Sequence, residues 1–387
     1  MPIEKNELTK SVHAGLTTEK TTGAVIAPIF QTSTFEQISP GETKGFDYSR
    51  GGNPTRGLLE EALAKLEEAK FGLAFSSGLA AEQAIIQILD KDSHIIVSDD
   101  VYGGTGRLFR QIYEKYGLSF DFVDMSNIEN IKNKINNKTK MIWIETPTNP
   151  TLKLVDIKES CKLAKNSDIT VVVDNTFCSP VFQSPLSLGA DIVVHSTTKY
   201  IGGHSDLIGG AIMTSNEKVY ERLSFVQKAV GAVPSPIECF LTLRSIKTLA
   251  LRMGQHEKNA FNVAKYLTEQ KKIKNVIYPG LESHPQYDLA KKQMKGFSGI
   301  ISFTWNGPYE ELVKFTQSLE LIILAESLGG VESLINHPEK MTHGSVPKGL
   351  REKLGIDEKL LRLSVGIENS DDIIKDLDKA IKLSSLS

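Results

Sequence analysis

Four short segments of the 387-residue chain gather residue types that can do chemistry together. Ser76-Ser77-Gly78-Leu79-Ala80 is a small Gly-containing turn entering an apolar stretch; it offers backbone N–H groups and the positive end of a helix dipole to an anion. Glu145-Thr146-Pro147-Thr148-Asn149-Pro150 carries two prolines that stiffen the chain and aim Asn149. Asp174-Asn175-Thr176 offers a carboxylate, and His195-Ser196-Thr197-Thr198-Lys199-Tyr200 sets hydroxyls and one amine on a single tight turn. Any one of these alone is an ordinary connection: an Asp after a strand is commonly a cap or turn residue, and a loop Lys is commonly solvated. An anion cradle, a carboxylate, an amide and a lysine at one place suit a cofactor with a phosphate, a protonatable ring nitrogen, a ring oxygen and an aldehyde. That describes pyridoxal 5′-phosphate. A primary amine is required to form a Schiff base with the aldehyde, and the same amine can carry protons once a substrate displaces it.

What gathers these segments is their position in the sequence pattern. Short runs rich in Val, Ile and Phe recur at Phe71–Phe75, His94–Val97, Phe120–Val123, Met141–Ile144, Ile169–Val173, Asp191–Val194 and Gly210–Met213, with amphipathic stretches such as Leu58–Ala69 and Ile128–Ile135 between most of them. This alternation predicts a mostly parallel sheet covered on both faces, whose ligands lie beyond the carboxyl ends of its strands. All four segments follow such strands. After a long helical stretch around Ile237–Leu267, strands become fewer (Val276–Tyr278, Ile300–Phe303, Leu321–Leu324, Leu361–Val365) and a helix, Asp371–Leu383, closes the chain. The expected organisation is a polar arm over residues 1–50, a doubly wound α/β domain over 51–248 and a smaller α+β domain over 249–387.

Composition narrows the class further. Lys and Arg total 45 and Asp and Glu 47, a net charge of −2, with 24% charged and 40% hydrophobic residues. No charge excess favours nucleic acid or an anionic membrane surface, and no apolar run reaches the ~20 residues that span a bilayer. The N-terminus lacks the apolar core of a secretion signal, and three widely spaced cysteines (Cys161, Cys178, Cys239) predict reduced thiols and a cytoplasmic protein. Ser196-Thr197-Thr198-Lys199 matches S-x-x-K, but the S-D-N and K-T-G partners of serine acyl-enzymes are missing; His204-Ser205-Asp206-Leu207 has Leu where Asn is needed. Neither a P-loop nor a G-x-G-x-x-G follows the first strand, and His195 and His204 lack metal-ligand spacing, so no metal is expected.

The chain resembles the transsulfuration family of pyridoxal-phosphate enzymes over nearly its whole length. The matching stretches begin with Thr22–Val25, Pro28–Phe35, Tyr48-Ser49-Arg50 and Asn53-Pro54-Thr55-Arg56, and continue through Ser76–Ala80, Asp100–Thr105, Glu145–Pro150, Val173–Phe177 and His195–Ser205. Glu326–Gly330, Met341-Thr342-His343 and Leu361–Gly366 complete them. The resemblance implies a fold-type I, aspartate aminotransferase-like architecture with a seven-stranded sheet. It also implies that Lys199 holds the cofactor covalently, Asp174 pairs with the ring nitrogen, and Tyr102 stacks on the ring and serves as a base. The backbone of Gly78 and Leu79 and the hydroxyls of Ser196 and Thr198 would bind the phosphate; relatives often carry Met where Leu79 stands. Asn149 would sit by the ring oxygen, Arg362 would clamp the substrate carboxylate, and Glu326 and Ser327 would complete the substrate site. Tyr48 and Arg50 would reach the phosphate of a neighbouring subunit, implying a homotetramer built as two dimers with shared active sites.

The resemblance is strongest to members that cleave L-cystathionine by α,γ-elimination, giving L-cysteine, 2-oxobutanoate and ammonia, with hydrogen sulfide from cysteine or homocysteine as a side reaction. Gly104 stands where methionine-cleaving members have a reactive Cys, Glu326 matches the acid of γ-specific members, and Gly231–Pro236 is like that of eukaryotic members. The alternative is γ-replacement, in which a thiol adds to an activated homoserine ester, as in γ-synthases and O-acylhomoserine thiol-lyases.

Overall fold

The structure, a computed structural model, describes residues 6–344 and 346–384. The chain enters through a helix, α1 (Glu7–His13), and a small ribbon, β1 (Gln37–Ser39) and β2 (Glu42–Thr43). Then α2 (Pro54–Leu66), β3 (Phe71–Phe75), α3 (Gly78–Ile86), β4 (His94–Ser98), α4 (Gly103–Arg107), β5 (Ser119–Val123) and α5 (Ile128–Lys132) alternate. They continue as β6 (Thr139–Glu145), α6 (Ile157–Lys165), β7 (Thr170–Asp174), α7 (Ser179–Phe182), β8 (Ile192–Ser196), β9 (Gly210–Thr214) and α8 (Glu217–Val230).

Seven of these strands form one sheet in the order β3-β9-β8-β7-β6-β4-β5. The pairs from β8 to β5 are parallel, while β9 is antiparallel to both β8 and β3. Six strands therefore point one way and β9 alone is reversed. The reason is its connection: residues 197–209 contain no crossover helix, and a short link can join only antiparallel neighbours. Successive residues alternate between two apolar layers. Ile95, Val97, Trp143 and Val172 pack on one face with α3 and α8; Ile96, Ile142, Ile144, Val171 and Val173 pack on the other with α6. With both faces covered, the strands read as continuous apolar runs, which is why they were visible in the sequence.

Capping fixes where the helices begin. The Asn53 side chain accepts from the N–H groups of Thr55 and Arg56 with Pro54 opening α2, and Ser77 caps α3 by accepting from the Ala80 N–H. The expected single helix around Ile237–Leu267 is two, α9 (Pro236–Ile246) and α10 (Leu249–Thr268). At the break, the Ser245 carbonyl accepts from the Thr248 N–H, the Thr248 hydroxyl and Arg252 Nη2, so no helical partner remains for it.

A second sheet follows: β10 (Ile273–Ile277), α11 (Tyr287–Gln293), β11 (Ile300–Trp305), α12 (Tyr309–Gln317), β12 (Ile323–Leu324), β13 (Leu334–Asn336), α13 (Lys348–Lys353), β14 (Leu360–Ser364) and α14 (Ser370–Ser384). Its order is β10-β11-β14-β13-β12. Leu361 and Leu363 of β14 pack with Val263, Leu267, Phe303, Phe315 and Leu377. Arg362 between them faces away, towards the first sheet.

Candidate active site

A cavity of about 340 Å³ lies beyond the carboxyl ends of β3, β6, β7 and β8 and is closed by residues of the second sheet. It gathers Gly78, Leu79, Tyr102, Asn149, Asp174, Ser196, Thr198, Lys199, Glu326, Ser327 and Arg362, eleven of the thirteen residues expected at the site. Tyr48 and Arg50 are outside it. Tyr48 is exposed, and Arg50 lies over its ring, 5.6 Å from the centroid, while donating to the Lys228 carbonyl at 2.6 Å.

The lysine turn is held from several sides. The Gly203 N–H bonds to the Lys199 carbonyl, and the Thr198 hydroxyl bonds to the carbonyl and the N–H of Gly209. Arg252, buried in α10, donates to the carbonyls of Tyr200 at 2.7 Å and Ile201 at 3.4 Å. The Lys199 amine donates to Ser327 Oγ at 2.9 Å. Burial, with the charge of Arg362 added, brings its ammonium down from 10.5 to about 8, so an appreciable fraction is free amine near neutral pH. Because the amine bonds to Ser327 and not to Ser196, the S-x-x-K arrangement of an activated serine is not formed.

At one end of the cavity is the start of α3. A Cβ on Gly78 would stand 3.0 Å from that of Ser196, so the absent side chain is what lets the two segments close into a cradle. Ser77, Gly78, Leu79, Ser196, Thr176 and Thr198 line this end, with the positive end of the α3 dipole directed at it.

The next wall is built of carboxyl groups. Asp174 ends β7 and accepts from the Thr176 N–H at 2.9 Å; burial raises its pKa, while the Thr176 bonds and His195 oppose that rise. Glu145 ends β6, 5% exposed, and accepts from the Tyr102 N–H at 2.8 Å, which fixes where Tyr102 leaves the backbone. Glu82, on α3, is 4% exposed and accepts from the Thr105 hydroxyl at 3.1 Å. Burial, and then the neighbouring Asp174, push both glutamic acids well above the usual carboxylate range. The motif containing Glu145 does not reveal this role, and the sole sequence signal for Glu82 is that it is the one acidic residue in the apolar helix Gly78–Ile86, one turn after Gly78. The Tyr102 ring needs Gly104, since a Cβ there would lie 2.4 Å from it.

Arg362, 2% exposed, closes the opposite side. It donates to Asn149 Oδ1 at 2.7 Å and to the Ser327 carbonyl at 2.9 Å, while its Nε has no partner. Asn149 is thus tied to Arg362 across the two sheets. Its loop, with cis bonds at Thr146-Pro147 and Asn149-Pro150, is anchored by Asp100, whose Oδ2 accepts from the Thr148 hydroxyl at 2.6 Å and the Thr151 N–H at 3.0 Å. Ser327 has φ 88°, a strained value for a residue with a side chain, and it turns both its hydroxyl and its carbonyl to the site. Glu326 is exposed at the rim.

Among the described residues no cluster of three or more His, Cys, Asp or Glu is arranged to hold a metal, and no helix is long and apolar enough to cross a membrane. The three cysteines are buried and unpaired, with thiols pushed up by burial, Cys161 and Cys239 to about 12.

The family model described as Cys/Met metabolism PLP-dependent enzyme matches residues 8–382. The chain is 50% identical over 374 residues to cystathionine gamma-lyase of Dictyostelium discoideum, covering 96% of this chain and 97% of that one. It is 49% identical over 375 residues to cystathionine beta-lyase of Lactococcus lactis subsp. cremoris, covering 97% and 98%. Cystathionine gamma-lyase from Lactobacillus plantarum, solved with L-serine, superposes with a TM-score of 0.96 at 42% identity, covering 99% of this chain and 100% of that one. The structure of metB from Corynebacterium glutamicum has the same TM-score at 44% identity, covering 99% of each chain.

Proposed function

The chain belongs to the Cys/Met metabolism PLP-dependent enzyme family, and from that membership we propose that it cleaves L-cystathionine by α,γ-elimination. The reaction consumes water and gives L-cysteine, 2-oxobutanoate and ammonia. The residues suit the family's cofactor: the Gly78 cradle at the start of α3 takes the phosphate, the Asp174 carboxyl the ring nitrogen, and Lys199 the aldehyde. When bound, pyridoxal phosphate supplies a covalent attachment for the substrate amine and a ring that accepts the electrons left by a departing proton.

The protein's own groups then have distinct tasks. Arg362 presents its fork to the substrate carboxylate, and its bonds to Asn149 and Ser327 fix the plane in which it does so. Lys199, whose ammonium burial brings down to about 8, can both remove and return protons near neutral pH, as γ-elimination requires at two neighbouring carbons. The Ser327 hydroxyl holds that amine in reach of the bound substrate. Tyr102 covers the ring position and, having no bond from its hydroxyl to another residue's main chain or side chain among those described, can meet the incoming amine.

The observation that carries the γ reading is Glu326 at the rim of this cavity, beside Ser327. An anion there can attract the distal ammonium of cystathionine, an interaction that exposure to water holds to about 1 kcal/mol or less. The gamma-lyase and beta-lyase relatives are almost equally similar, and γ-replacement by a thiol is the further alternative. Incubation with L-cystathionine separates them: 2-oxobutanoate is expected. Pyruvate would mean β-elimination, and no keto acid but formation of cystathionine from an activated homoserine ester and cysteine would mean a synthase.

We further propose that Tyr48 and Arg50 serve the phosphate end of a neighbouring subunit, in a tetramer of two dimers. What supports this is their distance from their own cavity and the exposed apolar residues Val25, Ile26, Phe30 and Ile38 of the arm. Sedimentation of a stable, active monomer would remove the idea. The divisions 1–50, 51–248 and 249–387 are proposed on the same footing as arm, cofactor domain and capping domain.

A further inference from the structure

Glu82 is a buried acid whose second oxygen, Oε2, has no hydrogen-bond partner, although it stands in the wall of a cavity. Leaving such an atom unsatisfied is costly unless something that binds there makes use of it. Its surroundings are well defined. Thr105 of α4 donates to Oε1, Asp174 at the end of β7 is the charge acting on it, and Glu145 of β6 and Tyr102 feel its charge in turn. Asp174 has one oxygen engaged by the Thr176 N–H, and Glu145 has one engaged by the Tyr102 N–H. Two ionised carboxylates at this wall would repel each other in a poorly solvated space, so one of them keeps its proton.

We propose that Glu82 is the proton reservoir of this wall, a neutral carboxylic acid that ionises when a protonated pyridine nitrogen docks at Asp174. This rests on the reading of the cavity as a pyridoxal-phosphate site. The step is simple: the Glu82 O–H bond breaks, the proton passes to solvent, the carboxylate remains, and nothing is oxidised or reduced. A positive ring nitrogen lowers the cost of a second anion, so two carboxylates then hold the ring cationic. Glu82 is a positioning residue, acting on the electron-accepting ring through the charge it places beside Asp174.

The experiment uses pyridoxine 5′-phosphate, which has the ring and the phosphate but no aldehyde, so that Lys199 chemistry does not enter. Binding is followed by calorimetry near neutral pH in buffers of different ionisation enthalpy, which counts protons exchanged. Wild type is expected to release about one proton more per ligand than Glu82→Gln, a variant that keeps the acceptor for Thr105 and carries no ionisable proton. Glu145→Gln is expected to match wild type. In Glu82→Gln with pyridoxal phosphate restored, the pH at which the bound chromophore loses its ring proton should fall by about one unit, a tenfold change. Equal proton counts in wild type and Glu82→Gln overturn the proposal, as does a deficit that appears in Glu145→Gln instead. If Glu82→Gln does not fold, infrared difference spectra of wild type decide: the protonated-carboxyl absorption should lose the intensity of one carboxyl on binding, and an unchanged band overturns the proposal. A wild-type protein that binds no ligand overturns the cofactor site, and with it this role for Glu82, which separates the two failures.

Discussion

The two ends of the cavity hold groups of opposite sign under the same influence. On one side Lys199 and Arg362 are cations that burial drives towards neutrality, to about 8 and about 10. On the other, Glu82, Glu145 and Asp174 are acids that burial also drives towards neutrality. Low solvation thus prepares a base and a set of acids with one device, and the difference between the ends lies in their fixed partners. Arg362 has Asn149 and the Ser327 carbonyl, and the lysine turn has Arg252 behind it. Glu82 has one hydroxyl and an unsatisfied oxygen. The basic end is held in place; the acidic end is left able to change its charge.

The largest test of this contrast is Lys199→Ala. Turnover should fall by much more than the ~10² to 10⁴ that general-base deletions cost, because covalent attachment and proton transfer go together. Substantial remaining turnover of cystathionine would put the chemistry at the other end. Arg362→Lys comes next. Losing the fork and its two fixed bonds should lower kcat/KM by about 10²-fold, mostly through KM, since a point charge cannot replace a bidentate group. An unchanged KM would mean that the carboxylate is held elsewhere.

The third test uses stability, where the two ends have opposite signs. Between about 8 and 10.5 the unfolded chain binds a proton at Lys199 that the folded chain does not, so stability of cofactor-free protein should climb with pH across that window. Lys199→Met should abolish this climb, which is worth at most about 3 kcal/mol. The buried acids keep protons that the unfolded chain loses above 4.5, so their contribution falls as pH rises from there through their folded values. Glu82→Gln should flatten that fall. Denaturant titrations at several pH values check both; parallel curves for the two variants would erase the contrast. The smallest effect is expected from Gly104→Ala, which obliges the Tyr102 ring to move from a position 2.4 Å from the new methyl and should lower kcat by about tenfold. A ring that stays put, with unchanged kcat, would show that Tyr102 needs no such placement.

Most of the site was legible because in a parallel sheet the residues after each strand share one edge. Asp174, Asn149 and Lys199 could be grouped without any contact being known. Glu82 was hidden because it comes from the interior of a helix, and only the packing of α3 on β8 and β9 decides which side of that helix faces the cavity. The reversal of β9 was not in its residues, which look like those of its neighbours, but in the missing crossover before it. β13, three residues long, was too short to show a period, and β1 and β2 are too polar and exposed to show a buried face. The break at Thr248 depended on Arg252 finding carbonyls that are distant in sequence.

That buried guanidinium also makes a mechanical link. Arg252 grips the lysine turn through Tyr200 and Ile201 and the α9–α10 junction through Ser245, so the two cannot separate without baring a cation. A force or tilt applied to α10, and through it to the second sheet, therefore reaches the backbone of Lys199 as a lever reaches its load. Rigidity at the Lys199 amine and the posture of the second sheet are in this way one property of the chain.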